Sequence, residues 1–569
     1  MQSVSWRSDS PPTSPAAGSK KSALLLLPAL IMSNPDKLRE ALSSPAATIL
    51  LRSHSCHRCV LRFTGVRDHS WYKLPDEVLC RAAAGAGGGE ENADGAESAP
   101  VPEASLQDAP AEPTPAGPTP AEATPAEAEA TVCPLCLGML QHTLSSATTA
   151  ELTAQFVAAG FNIRTFGLSV SVPPALYVRQ RGAWLHLRKE LNSTHGSKPI
   201  DFAAIVDVKD PLRWLLAPLL AELASGTPLA GGRAVSYDPS SPVTITASVA
   251  HPSCAADHEA VVVPMLPVQQ QYYGGKRMRS QGYGGWSVPE ADSTRTVLRM
   301  IAAQELDPQL GRTGMVPPLA PPGRCTFGVS VERLAICLRG RYNKYSRALP
   351  QTAWIIDGAR KCAGSVQECV EGPPMRLFGC AEAKFHSAGR EDVDVRMLGE
   401  GRPFVLELLQ PKKAEPTAEE LEAMVREINE SDIVQVSALE MCSTDVIGNL
   451  IKEGEDSHRK DYRCVVRVSR RLTPADIALL NSTTELQLQQ KTPLRVLHRR
   501  TQMVRPRTVH EIAAVQLGSH FLQLDLCTQA GTYVKEFVHS DFGRTHPSVG
   551  SLLGCEADIL QLDVLGLRD

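Results

Sequence analysis

The stretch KFHSAGREDVDVRMLGEGRPFVLELLQP, Lys384 to Pro411, decides how this chain is read. Two carboxylates, Asp392 and Asp394, stand between Arg390 and Arg396, just after the small Ala388–Gly389 step. Beyond them, Val405 to Leu409 is apolar apart from Glu407 and reads as a mostly buried strand. The stretch is therefore a strand–turn–strand junction crowded with charge. A carboxylate that attacks an electrophile at neutral pH must be ionised, and a neighbouring guanidinium favours that form. A solvated charged hairpin would have the same composition.

Working outward, 569 residues suffice for three or four domains, and the 43% hydrophobic content is ordinary for a soluble protein. The net charge of −4 looks wrong for a nucleic-acid binder. However, the tract from Ala82 to Thr131 has ten acids and no Lys or Arg, and setting it aside leaves +6. The remainder is mildly basic and compatible with RNA. The apolar run Ala23–Met32 is too short to span a bilayer and contains Pro28, so no membrane partner is expected. Residues 1–45 read as a disordered or targeting tail. The compartment expected is nucleus or cytoplasm, with organellar targeting by the tail as the alternative.

Fifteen cysteines without a clear secretory signal indicate reduced thiols, and only two pairs have CxxC spacing: Cys56/Cys59 and Cys133/Cys136. The 73 residues between the pairs are too many for a zinc ribbon, but the low-complexity tract 82–131 accounts for 50 of them. Without it 23 remain, close to the spacing that sets four thiolates around Zn²⁺. Four protein ligands close such a site, so the metal would be structural. Val60–Phe63 reads as a strand after the first pair, and residues 46–146 read as one zinc-knuckle module.

Residues 147–320 alternate helix and strand. Ala147–Gly160 reads as a helix, Phe166–Val172 as a strand, Ala183–Arg188 as a helix, Phe202–Val208 as a buried strand, Pro211–Ala224 as a helix and Thr244–Val249 as a strand. Tyr272–Arg279 mixes aromatic and basic residues suited to single-stranded RNA. Neither this segment nor Gly282–Gly285 follows a strand as a cofactor-binding glycine loop would.

From about residue 321 to the end the pattern is strand-rich. Arg341, Lys344 and Arg347, interleaved with Tyr342 and Tyr345, suit a grip on phosphates. Thr417 and Glu420 form a capping box for a scaffold helix whose stripe is Leu421, Met424, Val425 and Ile428. Residues Gln490–Arg500 are densely basic, with Arg495, Arg499 and Arg500 on what reads as a strand facing phosphates. An edge strand kept soluble by charge would look the same.

Four ordered blocks, RYNKYSRALPQTAWIIDGARK, GREDVDVRMLGEGRPF, KTPLRVLHRR and AGTYVKEFVHSDFGRTHPSVGSLLG, closely resemble the archaeal and eukaryotic tRNA pseudouridine synthases known as the pseudouridylate synthase ten family. CHRC and CPLCLG match its paired knuckles, and VDVKDPLRWLL more weakly resembles its THUMP-containing region. The resemblance implies an α+β protein: a zinc-knuckle plus THUMP-like α/β module, then a pseudouridine synthase domain over 321–569 with a central mixed or antiparallel sheet. It implies isomerisation of T-loop uridine 54, 55 or both in tRNA without a catalytic cofactor; a monomer is expected. Asp392 stands at the family's nucleophile, with Asp394 its rival. Arg390 would help hold the loop open and Tyr462 would stack on the flipped base. GTYVK, Gly531–Lys535, resembles the superfamily's strand motif, which would stand Lys535 against the carboxylate, and Leu552 would pack beside the base. A non-catalytic RNA-binding scaffold that retains the fold is the alternative.

Overall fold

The computed structural model describes residues 35–84, 131–193, 199–227, 230–266, 294–455, 459–498 and 500–568. The tail up to residue 34, most of the acidic tract, Tyr272–Arg279, Gly282–Gly285 and Arg499 lie outside the described residues. No described helix is long and apolar enough to cross a membrane.

The chain forms two compact units. The first gathers the described parts of 1–142, 173–214 and 251–325. Its first cysteine pair sits on a helix, His57–Phe63, where a strand was expected. A four-residue apolar run does not distinguish the two, and extended Cys56 at the N-cap starts a helix that buries Cys59, Val60, Leu61 and Phe63 together. Two arginines of this helix are also buried, each with acceptors to match. Arg58 donates to the carbonyls of Tyr72 and Leu74 at 2.8 and 2.9 Å and pairs with Asp76. Arg62 donates to Val206 O at 3.0 Å and to Gln180. The strand expected over 202–208 is instead a 3₁₀ turn, Phe202–Ala204, with an extended link after it. Asp201 caps the turn at Ala203 N (3.0 Å) and Asp207 caps the next helix at Lys209 N (2.9 Å), leaving no run long enough to pair as a strand.

The second unit comprises the described parts of 143–172, 215–250 and 326–569 and holds two sheets. The smaller has the order β2-β1-β3-β4, from β1 (Thr165–Ser171), β2 (Ser236–Tyr237), β3 (Val243–Ala250) and β4 (Thr326–Arg333). The helix Ser146–Ala159 belongs to this unit, capped by Ser145 and ended by left-handed Gly160.

The larger sheet is built on β5 (Ile336–Lys344), β9 (Val395–Leu409), β10 (Val434–Cys442), β11 (Arg459–Val468), β12 (Thr484–Lys491), β13 (Val504–Gly518), β14 (Phe521–Thr528), β15 (Thr545–His546) and β16 (Ala557–Arg568). Their order is β10-β5-β9-β16-β11-β14-β13-β12-β15, with β8 (Glu382–Ser387) added on β9 and β6–β7 (Ile355–Ile356, Ala359–Arg360) a separate hairpin. Most pairs are antiparallel, but β9 and β16 run parallel, Leu562 opposite Val395. The sheet is mixed, as the α+β reading anticipates. One core joins it to flanking helices, among them Ala418–Asn429 with the Thr417–Glu420 capping box and buried Met424 and Ile428.

Two expected strands take other forms. The basic segment leaves β12 at Lys491 and turns through a 3₁₀ element, Leu494–Val496. Pro493 cannot donate to a ladder, and buried Thr492 instead binds the Thr501 carbonyl at 2.7 Å. GTYVK is a turn running into the helix Val534–His539. There the Gln490 side chain takes both Tyr533 backbone groups, at 2.9 and 3.0 Å, so Tyr533 pairs with no strand.

Candidate active site

β9 is the element that places the charged loop. Its first residues lie beside β16, its last beside β8, and β5 contacts both halves across a bulge between Tyr342 and Lys344. At the bend, a Cβ on Gly401 would stand 2.7 Å from Tyr342 O, so only glycine fits. The loop 388–394 therefore hangs at one end of the sheet.

A buried polar network underlies it. Glu391, 5% exposed, accepts from Tyr342 Oη at 2.9 Å and from Arg402 Nε at 2.9 Å. Arg402 Nη1 also donates to Ala388 O at 2.7 Å. Gly389 has φ +94°, and a Cβ there would meet the Arg402 guanidinium at 2.8 Å. Burial pushes the Tyr342 hydroxyl well above its usual range, reinforced by the Glu391 charge, so Tyr342 serves as a neutral donor.

Lys344 lies beneath the same loop and is fully buried. Its Nζ donates to Leu349 O, Asp392 O and Val393 O at 2.8, 2.9 and 3.0 Å, and burial pushes the amine down to about 8. Arg341 donates to Glu400 O and Gly401 O at 2.8 and 3.0 Å. Arg347 donates to Asp394 O and Leu562 O and pairs with Asp563. Where a phosphate grip was expected of these three, Lys344 and Arg347 hold the loop's backbone and Arg341 holds the bend at Glu400–Gly401. A strand this close to the junction meets carbonyls before it meets solvent.

The loop presents its side chains to a cavity of about 580 Å³. Gly389–Asp392 line it together with Arg495, Arg500 and Lys535, and so do Lys460 and Tyr462 of β11. Asp392 accepts from Arg495 Nη1 at 2.8 and 3.1 Å and lies 3.4 Å from Lys535 Nζ. Lys535 meets both oxygens of Asp394 more closely, at 2.7 Å. Lys535 thus stands in ion-pair range of Asp392, as expected of it, but Asp394 is its nearer partner, and Arg495 supplies the hydrogen bonds to Asp392. Burial raises the Asp394 carboxyl, but the Lys535 hydrogen bond and charge outweigh it and leave it below its ordinary value. Asp394 lines a separate hollow of about 390 Å³ and not the larger cavity, whereas Asp392 lines both.

Arg495 is itself anchored, its Nε donating to Glu536 at 2.7 Å. Glu536 is 1% exposed, so one guanidinium bridges a buried carboxylate and a cavity-facing one. Burial pushes the Tyr462 phenol up to about 12, so it offers a neutral ring to the cavity. Burial and then the Arg402 charge push the Lys460 amine down to about 8. Arg390 is exposed at the rim and Arg500 lines the wall. Leu552 packs against the main core and is not part of the cavity lining. Val395, Leu562 and Val564 supply the apolar wall expected of it. Glu391, Arg402, Lys460 and Glu536 were not anticipated. Lys460, two residues before Tyr462 and so on the same strand face, alone carried a usable signal.

In the first unit, the thiols of Cys56, Cys59, Cys133 and Cys136 lie within 4.8 Å of one another, and three of them are buried. Tetrahedral coordination at a Zn–S distance of about 2.3 Å gives sulfur–sulfur edges of about 3.8 Å. Cys56 Sγ and Cys136 Sγ stand 3.8 Å apart. The cluster fits a closed four-thiolate metal site.

Comparison with known proteins matches residues 337–567 to the family described as Pus10, C-terminal, and residues 133–262 to eukaryotic Pus10, N-terminal. The chain is 34% identical over 523 residues to the tRNA pseudouridine synthase Pus10 of Xenopus laevis, covering 91% of this chain and 95% of that one. It is 36% identical over 529 residues to the protein of the same name from Mus musculus, with 91% and 95% covered. The Pus10 of Methanocaldococcus jannaschii is 37% identical over 248 residues, 41% of this chain and 53% of that one.

Proposed function

This chain belongs to the Pus10 family of tRNA pseudouridine synthases, and from that premise we propose that it isomerises T-loop uridine of tRNA, at position 54, 55 or both, with Asp392 as nucleophile. The observation that carries this reading is the placement of Asp392 on a cavity wall, bound by Arg495 and close to Lys535, with the neutral Tyr462 ring lining the same cavity.

A stacked uridine cannot reach such a wall, so the nucleotide is turned out of the RNA at a cost of a few kcal/mol. Tyr462 takes one face of the uracil and Arg390, at the rim, holds the vacated loop open. The Asp392 carboxylate attacks C1′ as the C1′–N1 bond breaks. Arg495 and Lys535 hold the carboxylate aimed before this step. The uracil rotates, C5 bonds to C1′ and Asp392 leaves. The C5 proton is lost and N1 gains one, so product and substrate have the same atoms. Cys56, Cys59, Cys133 and Cys136 would hold a zinc ion, which with four thiolate ligands would serve structure and not the reaction. The protein acts as a monomer.

The test is chemical mapping of pseudouridine in a tRNA transcript treated with wild type and with Asp392→Asn. Product from wild type alone supports the reading. No product from wild type removes the enzymatic function, and product from the variant moves the nucleophile to Asp394.

A further inference from the structure

Ser540, Asp541, Phe542 and Gly543 follow the helix Val534–His539 with φ of 66°, 50°, 57° and 80°. Four successive left-handed residues, three of them not glycine, make a backbone that L-residues resist at each step. Such strain persists only where the surroundings enforce it.

Here they do. The Asp541 carboxylate is buried and accepts from Leu494 N at 3.1 Å. Thr545 N returns to Ser540 O at 2.9 Å, and Arg544 Nη2 reaches Thr492 O at 2.7 Å. The turn is bolted to the segment that carries Arg495 and Arg500. Its tip is Phe542, at 93% the most exposed large apolar side chain among the described residues. Gly543 after it is exposed, Arg544 is half-buried, and Asp541 before it is buried. Cations do lie near. Arg544 and Arg505 both bind Thr492, the latter through Oγ1 at 2.9 Å, and exposed Lys491 donates its N–H to Arg544 O at 2.9 Å. An exposed ring beside cations has the chemistry of a site for single-stranded nucleic acid.

We propose that Phe542 is a stacking platform for an unpaired base of the substrate RNA other than the flipped uridine, with Arg500, Arg544 and Lys491 taking the adjoining phosphates. This rests on the tRNA-modifying reading above and adds a second contact for the RNA.

The test uses the full chain and a tRNA transcript, with binding measured by filter retention and chemistry by single turnover at saturating protein. Phe542→Ala is expected to weaken binding roughly 5- to 100-fold, the worth of one stacked base. The saturating rate and the melting temperature are expected to hold, since the ring packs on little. Phe542→Trp is expected to restore binding and Phe542→Leu to leave it weak. Arg500→Gln is expected to lower the salt slope by about 1, which Phe542→Ala would leave unchanged. Wild-type affinity in the Ala variant, or full rescue by Leu, overturns the proposal. So does a slower saturating rate at unchanged affinity, which would mean that the turn acts through Arg495. If wild type binds through Phe542 yet forms no pseudouridine, the surface stands and the proposed function falls.

Discussion

Arg495 donates one nitrogen to both carboxylate oxygens of Asp392, at 2.8 and 3.1 Å, from a segment 103 residues away in sequence. Its other face is held at 2.7 Å by buried Glu536, so the guanidinium has little freedom to leave. Preorganised cations at a reacting carboxylate are typically worth about 10²–10³ in rate. Arg495→Met should therefore lower kcat by about that factor in a single-turnover assay, and Arg495→Lys should recover only part, because an ammonium cannot fork to two partners. An unchanged rate in Arg495→Met would show that Lys535 alone suffices.

The two aspartates should separate cleanly. The Asp394–Lys535 pair is exposed on the aspartate side, and such pairs contribute about 1 kcal/mol or less. Asp394→Asn should then stay within about fivefold of wild-type turnover, since 1 kcal/mol is about a factor of five, while Asp392→Asn should be inactive. The reverse order, read by product mapping, would exchange their roles.

Glu391 and Arg402 form a buried pair, with side chains 1% and 5% exposed. Removing one partner strands the other charge, at a typical cost of about 3–5 kcal/mol. Arg402→Met should lower stability to urea by that order, and adding Glu391→Gln should return part of it. A double variant no more stable than the single would mean that the pair acts through Tyr342 rather than through its own charges.

Lys460 gives a pH dependence of stated sign. Its folded amine is pushed down to about 8, against an unfolded value of about 10.5. The folded state thus disfavours the charged form. The penalty is complete below about 8 and gone above about 10.5, so this site's contribution to stability rises with pH between them. Lys460→Met should be the more stable protein at pH 7, by up to about 3 kcal/mol, and its advantage should shrink by pH 9.5. Urea melts at the two pH values would show an equal difference if the amine were unperturbed.

One zinc per chain is expected by metal analysis of purified protein. Chelation should melt the helix His57–Phe63, because buried Cys59 and its partners lose the ion that binds them together. Zero metal, or a Cys59→Ser protein that keeps its full metal content and melting temperature, would remove the site.

What could be read from the sequence was what neighbouring residues encode. The cysteine pairs, the capping box at Thr417, the helix before Gly160 and the charged junction at Asp392 each depend on spacings of a few residues. Those spacings survive folding unchanged. The strand readings at Val60–Phe63, Phe202–Val208 and Gly531–Lys535 failed because short apolar runs are compatible with helix, turn or strand. A cysteine N-cap, two aspartate caps and one glutamine side chain decided them.

The division of labour among the cations was not local at all. Lys344, Arg341 and Arg347 looked like phosphate ligands and became carbonyl ligands, while Arg495, counted among the phosphate ligands, became the partner of Asp392. Charge type is written in the residue, but which opposite charge lies within 3 Å depends on strand register and on bends such as the one at Gly401. The sequence by itself determined which chemical groups this protein has. Only the tertiary structure decided which carboxylate each cation serves, because an ion pair requires contact that sequence distance does not specify.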